Sequence, residues 1–130
     1  MSNASAIAAV TATLGARLTQ VIDDLGISAS VSHTRPGTQG AFNTSAKTGI
    51  HLFLYMVTPN AALRNFDLPT RDAGGKLTQR PSAALELHYL LSFVAPDNEL
   101  DAQRMLGAVT IELNANPLLS PAEIRSASTS

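Results

Sequence analysis

An α+β fold is predicted for this 130-residue chain, with a small, mostly antiparallel sheet flanked by helices. Two observations predict it. Apolar residues recur at helical spacing near both ends of the chain. Between them, residues 50–57 and 83–94 have the composition of strands. The length is sufficient for one domain with a real core, and the hydrophobic fraction of 45% is ordinary for a globular protein.

The first helix is predicted over residues 4–25. Ser2 or Asn3 can cap its start, and Gly26 stands where a left-handed residue commonly ends a helix. A half-exposed strand follows over residues 27–33, because apolar positions there alternate with serines. The apolar positions of the helix lie three and four residues apart and therefore share one face: Ile7, Val10, Leu14, Leu18, Val21, Ile22 and Leu25.

The strongest strand is predicted over residues 50–57. It is apolar on both faces except at His51, which is typical of a strand in the middle of a covered sheet. Residues 83–94 predict a second long strand with one apolar face and one mixed face. Three strands make a poor independent sheet. We therefore expect strands from elsewhere to complete the sheet, or neighbouring subunits to support it.

Helical spacing returns over residues 99–116, where Asn98 and Asp101 offer a capping arrangement. Pro117 ends that helix, and residues 120–123 (Ser-Pro-Ala-Glu) predict the start of a third. Residues 125–130 are predicted to be a flexible tail. The apolar positions of the second helix are Ala102, Met105, Leu106, Val109 and Leu113.

The net charge of −1 predicts neither nucleic-acid binding nor binding to an anionic membrane. The charges are nevertheless unevenly placed. The loop over residues 58–81 is basic, and the chain from residue 82 onward is acidic. We expect these two regions to attract each other between subunits, with an ordinary solvated surface as the alternative.

Catalytic and metal-binding patterns are scarce. The chain has no Cys, so disulfides and thiolate metal sites are excluded. The three histidines, His33, His51 and His88, include no short-spaced pair of metal ligands. Phosphate loops and nucleophile elbows are also missing from the sequence. We therefore expect no metal, no cofactor and no enzyme. The remaining catalytic alternative is a small hydrolase or ligand-binding domain that uses His88 and Glu86.

The sequence has no stretch that is apolar over the length of a membrane span, and its N-terminus lacks the basic start of a secretory signal peptide. We therefore expect a chain that is cytoplasmic on synthesis.

The long loop over residues 58–81 has the features of a docking surface. It combines apolar anchors with arginine side chains and stiffening prolines, which suits an interface between chains. Its length is also unusual inside a compact domain. The alternative is a loop folded back on its own domain. The predicted interface residues are Arg64, Phe66, Leu68, Arg71 and Arg80, with Glu99, Asp101 and Glu112 as acidic partners on an adjacent subunit.

Three segments of the chain resemble a known family. They are residues 52–65 (Leu-Phe-Leu-Tyr-Met-Val-Thr-Pro-Asn-Ala-Ala-Leu-Arg-Asn), residues 68–71 (Leu-Pro-Thr-Arg) and residues 85–93 (Leu-Glu-Leu-His-Tyr-Leu-Leu-Ser-Phe). Residues 6–11 and 103–107 fit as well. Together they resemble the cap, or tail-terminator, proteins of extracellular contractile injection systems, which are phage-tail-like particles. The likeness covers residues 1–124.

The resemblance implies a tail-terminator-like fold over residues 1–124 and a ring of six subunits. Such a ring sits on the last layer of the inner tube, contacts the sheath and stops the polymerisation of both. The implied partners are thus the inner tube protein and the sheath protein, in a particle that can be released from the cell. Family members continue with further strands after the third helix. The alternative within this class is a terminator or adaptor of a phage or prophage tail.

Overall fold

The computed structural model describes residues 4–35, 48–62, 72–76, 84–96 and 100–128. One helix, three strands and two further helices follow one another along these residues, which confirms the predicted α+β class. The elements are α1 (Ala6–Leu25), β1 (Ser30–Ser32), β2 (Gly49–Pro59), β3 (Leu85–Val94), α2 (Asp101–Ala115) and α3 (Pro121–Ser128).

The sheet has the strand order β1-β2-β3, so β2 is central as its apolar sequence predicts. β2 and β3 form a long antiparallel ladder, whereas β1 pairs with β2 in parallel over three residues only. The sheet is therefore mostly antiparallel, as expected. β2 runs to Pro59, two residues beyond its predicted end, and β1 pairs over only part of the predicted strand at residues 27–33.

Gly49 begins β2 at a point where two backbones approach closely. A Cβ atom at this position would collide with the carbonyl oxygen of Ser30. Only glycine lets the first residue of β2 lie so near β1. The start of the parallel pairing is thus fixed by one residue without a side chain.

The hydrophobic core lies between one face of the sheet and the helices α1 and α2. Its most deeply buried side chains come from all three elements, and each is at most 2% exposed: Leu18, Ile22, Ile50, Leu52 and Met105. Leu14 and Leu25 pack against this cluster from α1, as their helical spacing predicts. Tyr89, Leu91 and Phe93 pack against it from β3, so the odd-numbered side chains of β3 point towards the helices.

Helix α3 packs on a second side of α1, where Ala9 and Thr13 are buried. Ala9 and Thr13 do not belong to the apolar face predicted for α1, so the sequence pattern did not indicate that a second helix packs there. The helix continues from Pro121 to Ser128. Residues 125–128, which the sequence assigns to a flexible tail, are therefore helical.

The helix ends differ in part from the predicted caps. Gly26 ends α1 in the left-handed conformation, with φ of 71°, as expected. Residue Ser5 precedes α1 without a side-chain cap, and the predicted caps Ser2 and Asn3 lie outside the described residues. Leu100 precedes α2 and Asp101 is in its first turn, whereas the predicted cap Asn98 lies outside the described residues.

Candidate assembly surface

Two of the predicted interface residues, Asp101 and Glu112, lie among the described residues, and both are on α2. The Glu112 carboxylate accepts a hydrogen bond from the side-chain amide of Asn116 at 3.1 Å. The Asp101 carboxylate accepts a hydrogen bond from Arg104 at 3.0 Å, one helical turn further along α2. Such ion pairs at the surface contribute little to the stability of the fold. The other predicted interface residues lie outside the described residues: Arg64, Phe66, Leu68, Arg71, Arg80 and Glu99.

The basic loop contains an ordered turn at residues 72–76. The carboxylate of Asp72 accepts hydrogen bonds from the backbone N–H groups of Gly74 and Lys76, both at 2.9 Å. The Asp72 N–H also donates to the Lys76 carbonyl at 2.9 Å, which brings the two ends of the turn side by side. Asp72 therefore organises the local backbone.

The β2–β3 ribbon carries a group of exposed apolar side chains at its far end and on its outer face. We call this group the ribbon patch. Its members are between 41% and 55% exposed: Tyr55, Met56, Val57, Leu85 and Leu90. Large apolar side chains grouped in this way on a surface are typical of a site of protein contact.

A β-bulge explains where the ribbon patch begins. The register of the ladder shifts between Leu54, which pairs with Tyr89, and Met56, which pairs with His88, so Tyr55 is an extra residue in β2. β2 is buried up to Leu52, and beyond Leu54 its residues are exposed except for the half-buried Thr58. A bulge bends a strand and increases its twist, which here coincides with the point where β2 leaves the core.

His88 and Glu86, the pair named for the catalytic alternative, do lie close together on the outer face of β3. The distance from His88 Nε2 to Glu86 Oε2 is 3.6 Å, and Thr58 Oγ1 is 3.3 Å from the same nitrogen. The His88 ring also meets Tyr55 edge-on, with ring centroids 6.2 Å apart. His88 is 33% exposed and Glu86 49%, so the pair lies on an open sheet face.

The arrangement around His88 offers a hydrogen-bonded surface network and lacks the enclosure of a catalytic pocket. Within the ranges that the structure describes, no three His, Asp or Glu side chains are grouped closely enough to hold a metal ion. His51 hydrogen-bonds to Thr34 Oγ1 at 3.2 Å, and His33 packs over Gly15 of α1. The three histidines thus occupy separate places.

Helix α2 exposes a second apolar surface. Leu106 is 51% exposed although its spacing assigns it to the core face, whereas its neighbour Met105 is fully buried. Ile111 is 72% exposed, and Leu100 just before the helix is 67% exposed. We call Leu100, Leu106 and Ile111 the α2 outer surface. Ile111 could have been identified from the sequence, because it lies off the stripe formed by Met105 and Val109.

Arg17 anchors the segment that leads into α3. Its guanidinium donates to the backbone carbonyl groups of Asn116 at 2.6 Å and Leu118 at 3.0 Å, and to the carboxylate of Glu123 at 2.8 Å. The Arg17 side chain is 11% exposed. A planar donor group with several N–H bonds suits this bridging role. The sequence analysis did not identify it, although an arginine in the middle of a largely apolar helix is a signal.

Glu123 completes a reciprocal cap at the start of α3. Its carboxylate accepts the Ser120 N–H at 2.7 Å, and its own N–H donates to Ser120 Oγ at 3.2 Å. The Arg17 guanidinium, followed by the hydrogen bonds from Ser120, lowers the pKa of Glu123 from its ordinary value near 4.5 to about 2. The Ser-Pro-Ala-Glu sequence therefore starts α3 as predicted.

Comparison with known proteins gives one match. The family model for the Pvc16 N-terminal domain matches residues 9–130. No curated protein and no solved structure matches the chain. Among the helices that the structure describes, none is both long enough and apolar enough to cross a bilayer. Because the match spans nearly the whole sequence, the chain belongs to the Pvc16 N-terminal domain family and is a structural protein related to contractile injection systems.

Proposed function

We propose that this chain is a subunit of the cap that closes one end of a contractile injection particle. In this role it forms a ring, expected to contain six copies, on the last layer of the inner tube and beside the end of the sheath. It ends the polymerisation of both and catalyses no reaction. The family match over residues 9–130 carries the proposal.

The exposed apolar groups of the chain support an assembly role. The ribbon patch and the α2 outer surface each present large apolar side chains to solvent. A subunit in a ring needs one surface for each neighbour, because a head-to-tail interface joins two different surfaces of the same chain. A cap needs a further surface for the tube. The chain therefore has more than one candidate for these contacts.

The second candidate function is a terminator or adaptor in a phage or prophage tail. It requires the same kind of surfaces, so the described geometry fits it equally. The hydrolase alternative has less support, because His88 and Glu86 lie on an open face with 33% and 49% exposure. We therefore propose the injection-particle cap.

The proposal is tested by the length of particles that carry a variant chain. Arg64→Glu reverses a charge in the predicted docking loop, and we expect particles with tubes of irregular length. The melting temperature of the purified variant should stay within a few degrees of the unmodified chain, since surface changes usually alter stability by less than about 0.5 kcal/mol.

Lys76→Glu is the matched control, because it makes the same charge change in the same loop at an exposed residue outside the predicted set. We expect it to leave the length distribution narrow. Normal lengths with Arg64→Glu would remove Arg64 from the assembly surface. Normal lengths in particles from which the whole chain has been deleted would contradict the cap function itself.

A further inference from the structure

Both edges of the sheet are open in the described part of the chain. β1 and β3 each pair with β2, and no other described strand lies beside either of them. An open edge presents a row of unpaired N–H and C=O groups, which another strand can complete. The β1 edge and the β3 edge can therefore each pair with a strand of another chain.

The β3 edge lacks the usual features that protect an edge strand. β3 is ten residues long, and Glu86 is its one charged residue apart from the titratable His88. It contains no Pro or Lys, and the bulge of the ribbon lies in β2 rather than in β3. Natural edge strands are commonly protected by lysine, proline or a bulge. This edge is therefore suited to pairing.

The outward-facing backbone groups of β3 follow from two observations. The Asn60 N–H donates to the Ala84 carbonyl at 2.9 Å, so Ala84 turns its backbone groups towards β2. Pro59, which has no N–H, lies opposite Leu85. Backbone direction alternates along a strand, so the odd-numbered residues turn their backbone groups outward: Leu85, Leu87, Tyr89, Leu91 and Phe93.

The same reasoning applies to β1. The Ser30 N–H donates to the Thr48 carbonyl at 3.3 Å, so Ser30 faces β2 with its backbone. Ala29, Val31 and His33 therefore turn their N–H and C=O groups to the open edge. The alternating sequence runs over residues 27–33, although only Ser30–Ser32 are paired with β2. Seven residues thus have a strand-like pattern on this side.

We infer that the β3 edge of one copy pairs with the β1 edge of the next copy of this chain, which joins their sheets around a ring. The inference rests on the proposed cap function for the closed ring. Within one chain β1 is parallel to β2 and β2 is antiparallel to β3. Copies related by rotation about the ring axis then bring β3 antiparallel to the neighbouring β1, the pairing that is more stable per residue.

This pairing keeps both faces of the joined sheet continuous. Ala29 and Val31 point to the helix side of the sheet, as do Tyr89 and Leu91. The even-numbered residues meet on the opposite face. There the small serines of β1 lie opposite His88 and the exposed Leu90, which is 46% exposed in the single chain. Joining the edges would therefore cover part of the ribbon patch.

The absence of Cys from the chain permits a direct test by disulfide cross-linking in assembled particles. Ser30→Cys is combined in turn with His88→Cys, Leu90→Cys and Ser92→Cys, which samples three registers two residues apart. In the inferred pairing these positions form non-hydrogen-bonded pairs, whose Cα atoms lie about 4.5 Å apart, within the range of a disulfide. We expect one combination to give a ladder of covalent oligomers of this chain after oxidation.

The single variants are the matched controls and should stay monomeric on a denaturing, non-reducing gel. A covalent dimer from Leu90→Cys alone would overturn the inference, because it would indicate that two β3 edges pair with each other. No ladder in any register, in particles that end at their normal length, would overturn the edge pairing while leaving the cap function intact. A ladder from a chain that is absent from particle ends would instead retain the pairing and remove the cap function.

Discussion

The two halves of β2 have similar sequences but opposite environments. The first half includes Ile50 and Leu52, which are each 1% exposed beneath α1 and α2. The second half includes Tyr55 and Val57, which are 55% and 43% exposed. Both halves are apolar, and the bulge at Tyr55 separates them. The chain's own core accounts for the composition of the first half only.

This difference shows that apolar content in a strand does not by itself predict burial in the core of the same chain. The first half stabilises the domain, because removing apolar surface from water drives folding. The second half is available for contacts with other chains. Substitutions in the two halves should therefore affect different measurements: stability for the first, assembly for the second.

The largest effect is expected when a charge enters the buried half. Leu52→Asp places an unpaired carboxylate among apolar side chains, and should destabilise the domain by about 4 kcal/mol or more. Val57→Asp, on the same strand beyond the bulge, should cost less than about 1 kcal/mol. Urea unfolding followed by circular dichroism measures both. Equal losses for the two variants would show that the halves are not energetically distinct.

A smaller effect separates the two sides of α2. Met105→Ala should cost about 2–5 kcal/mol, because it removes a fully buried side chain and leaves a cavity. Leu106→Ala changes the adjacent residue, which is 51% exposed, and should lie within about 0.5 kcal/mol of the unmodified chain. The same unfolding measurement applies. A large loss for Leu106→Ala would place that side chain in the core of the isolated domain.

Glycine substitutions should give a smaller effect still. Gly49→Ala forces β1 and β2 apart at the Ser30 carbonyl, which should cost about 1–3 kcal/mol as other overpacking changes do. A Cβ on Gly107 of α2 meets nothing within 4 Å, so Gly107→Ala should stabilise the helix by about 0.5–1 kcal/mol. Differential scanning calorimetry compares them. A destabilised Gly107→Ala variant with an unaffected Gly49→Ala variant would contradict both assignments.

The smallest expected effect is a pH dependence of the stability of α3 where it contacts Arg17 of α1. The pKa of Glu123 is lowered to about 2 in the folded chain from about 4.5, so its stabilising contribution is present above pH 4.5 and lost as the pH falls through about 2. NMR titration of the α3 amide signals should show this loss, and Glu123→Gln should remove that transition. A Glu123 carboxyl signal that titrates near pH 4.5 would show that Arg17 does not hold it.

Much of the fold could be predicted because local patterns match the environment. Leu18 and Ile22 belong to the helical spacing that predicted the core face of α1, and both are buried. Gly26 marks the end of α1 as predicted. The ends of β1 could not be predicted, since alternation over residues 27–33 does not reveal how many residues find a partner. The helix at residues 125–128 was missed because the start of α3 is held by contacts with Arg17, which lies more than a hundred residues earlier.

The assembly surface was harder to predict from the sequence. The charge pattern predicts contacts between chains, which stays a prediction, and a single sequence does not show which apolar residues stay exposed. Met105 and Leu106 illustrate the limit, because both fit the helical spacing and only one is buried. Tyr55 and Met56 lie at a bulge, which changes the face of the sheet on which the following residues lie. Alternation of apolar and polar residues along the sequence does not predict the position of such a bulge.

The position of this chain in intact particles tests the cap proposal most directly. A short epitope tag on the chain, detected by electron microscopy of extended particles, reports that position. The proposal predicts label at one end of every particle, beyond the last ring of the inner tube. Label spread along the tube or sheath, or no label on particles of normal length, would contradict it.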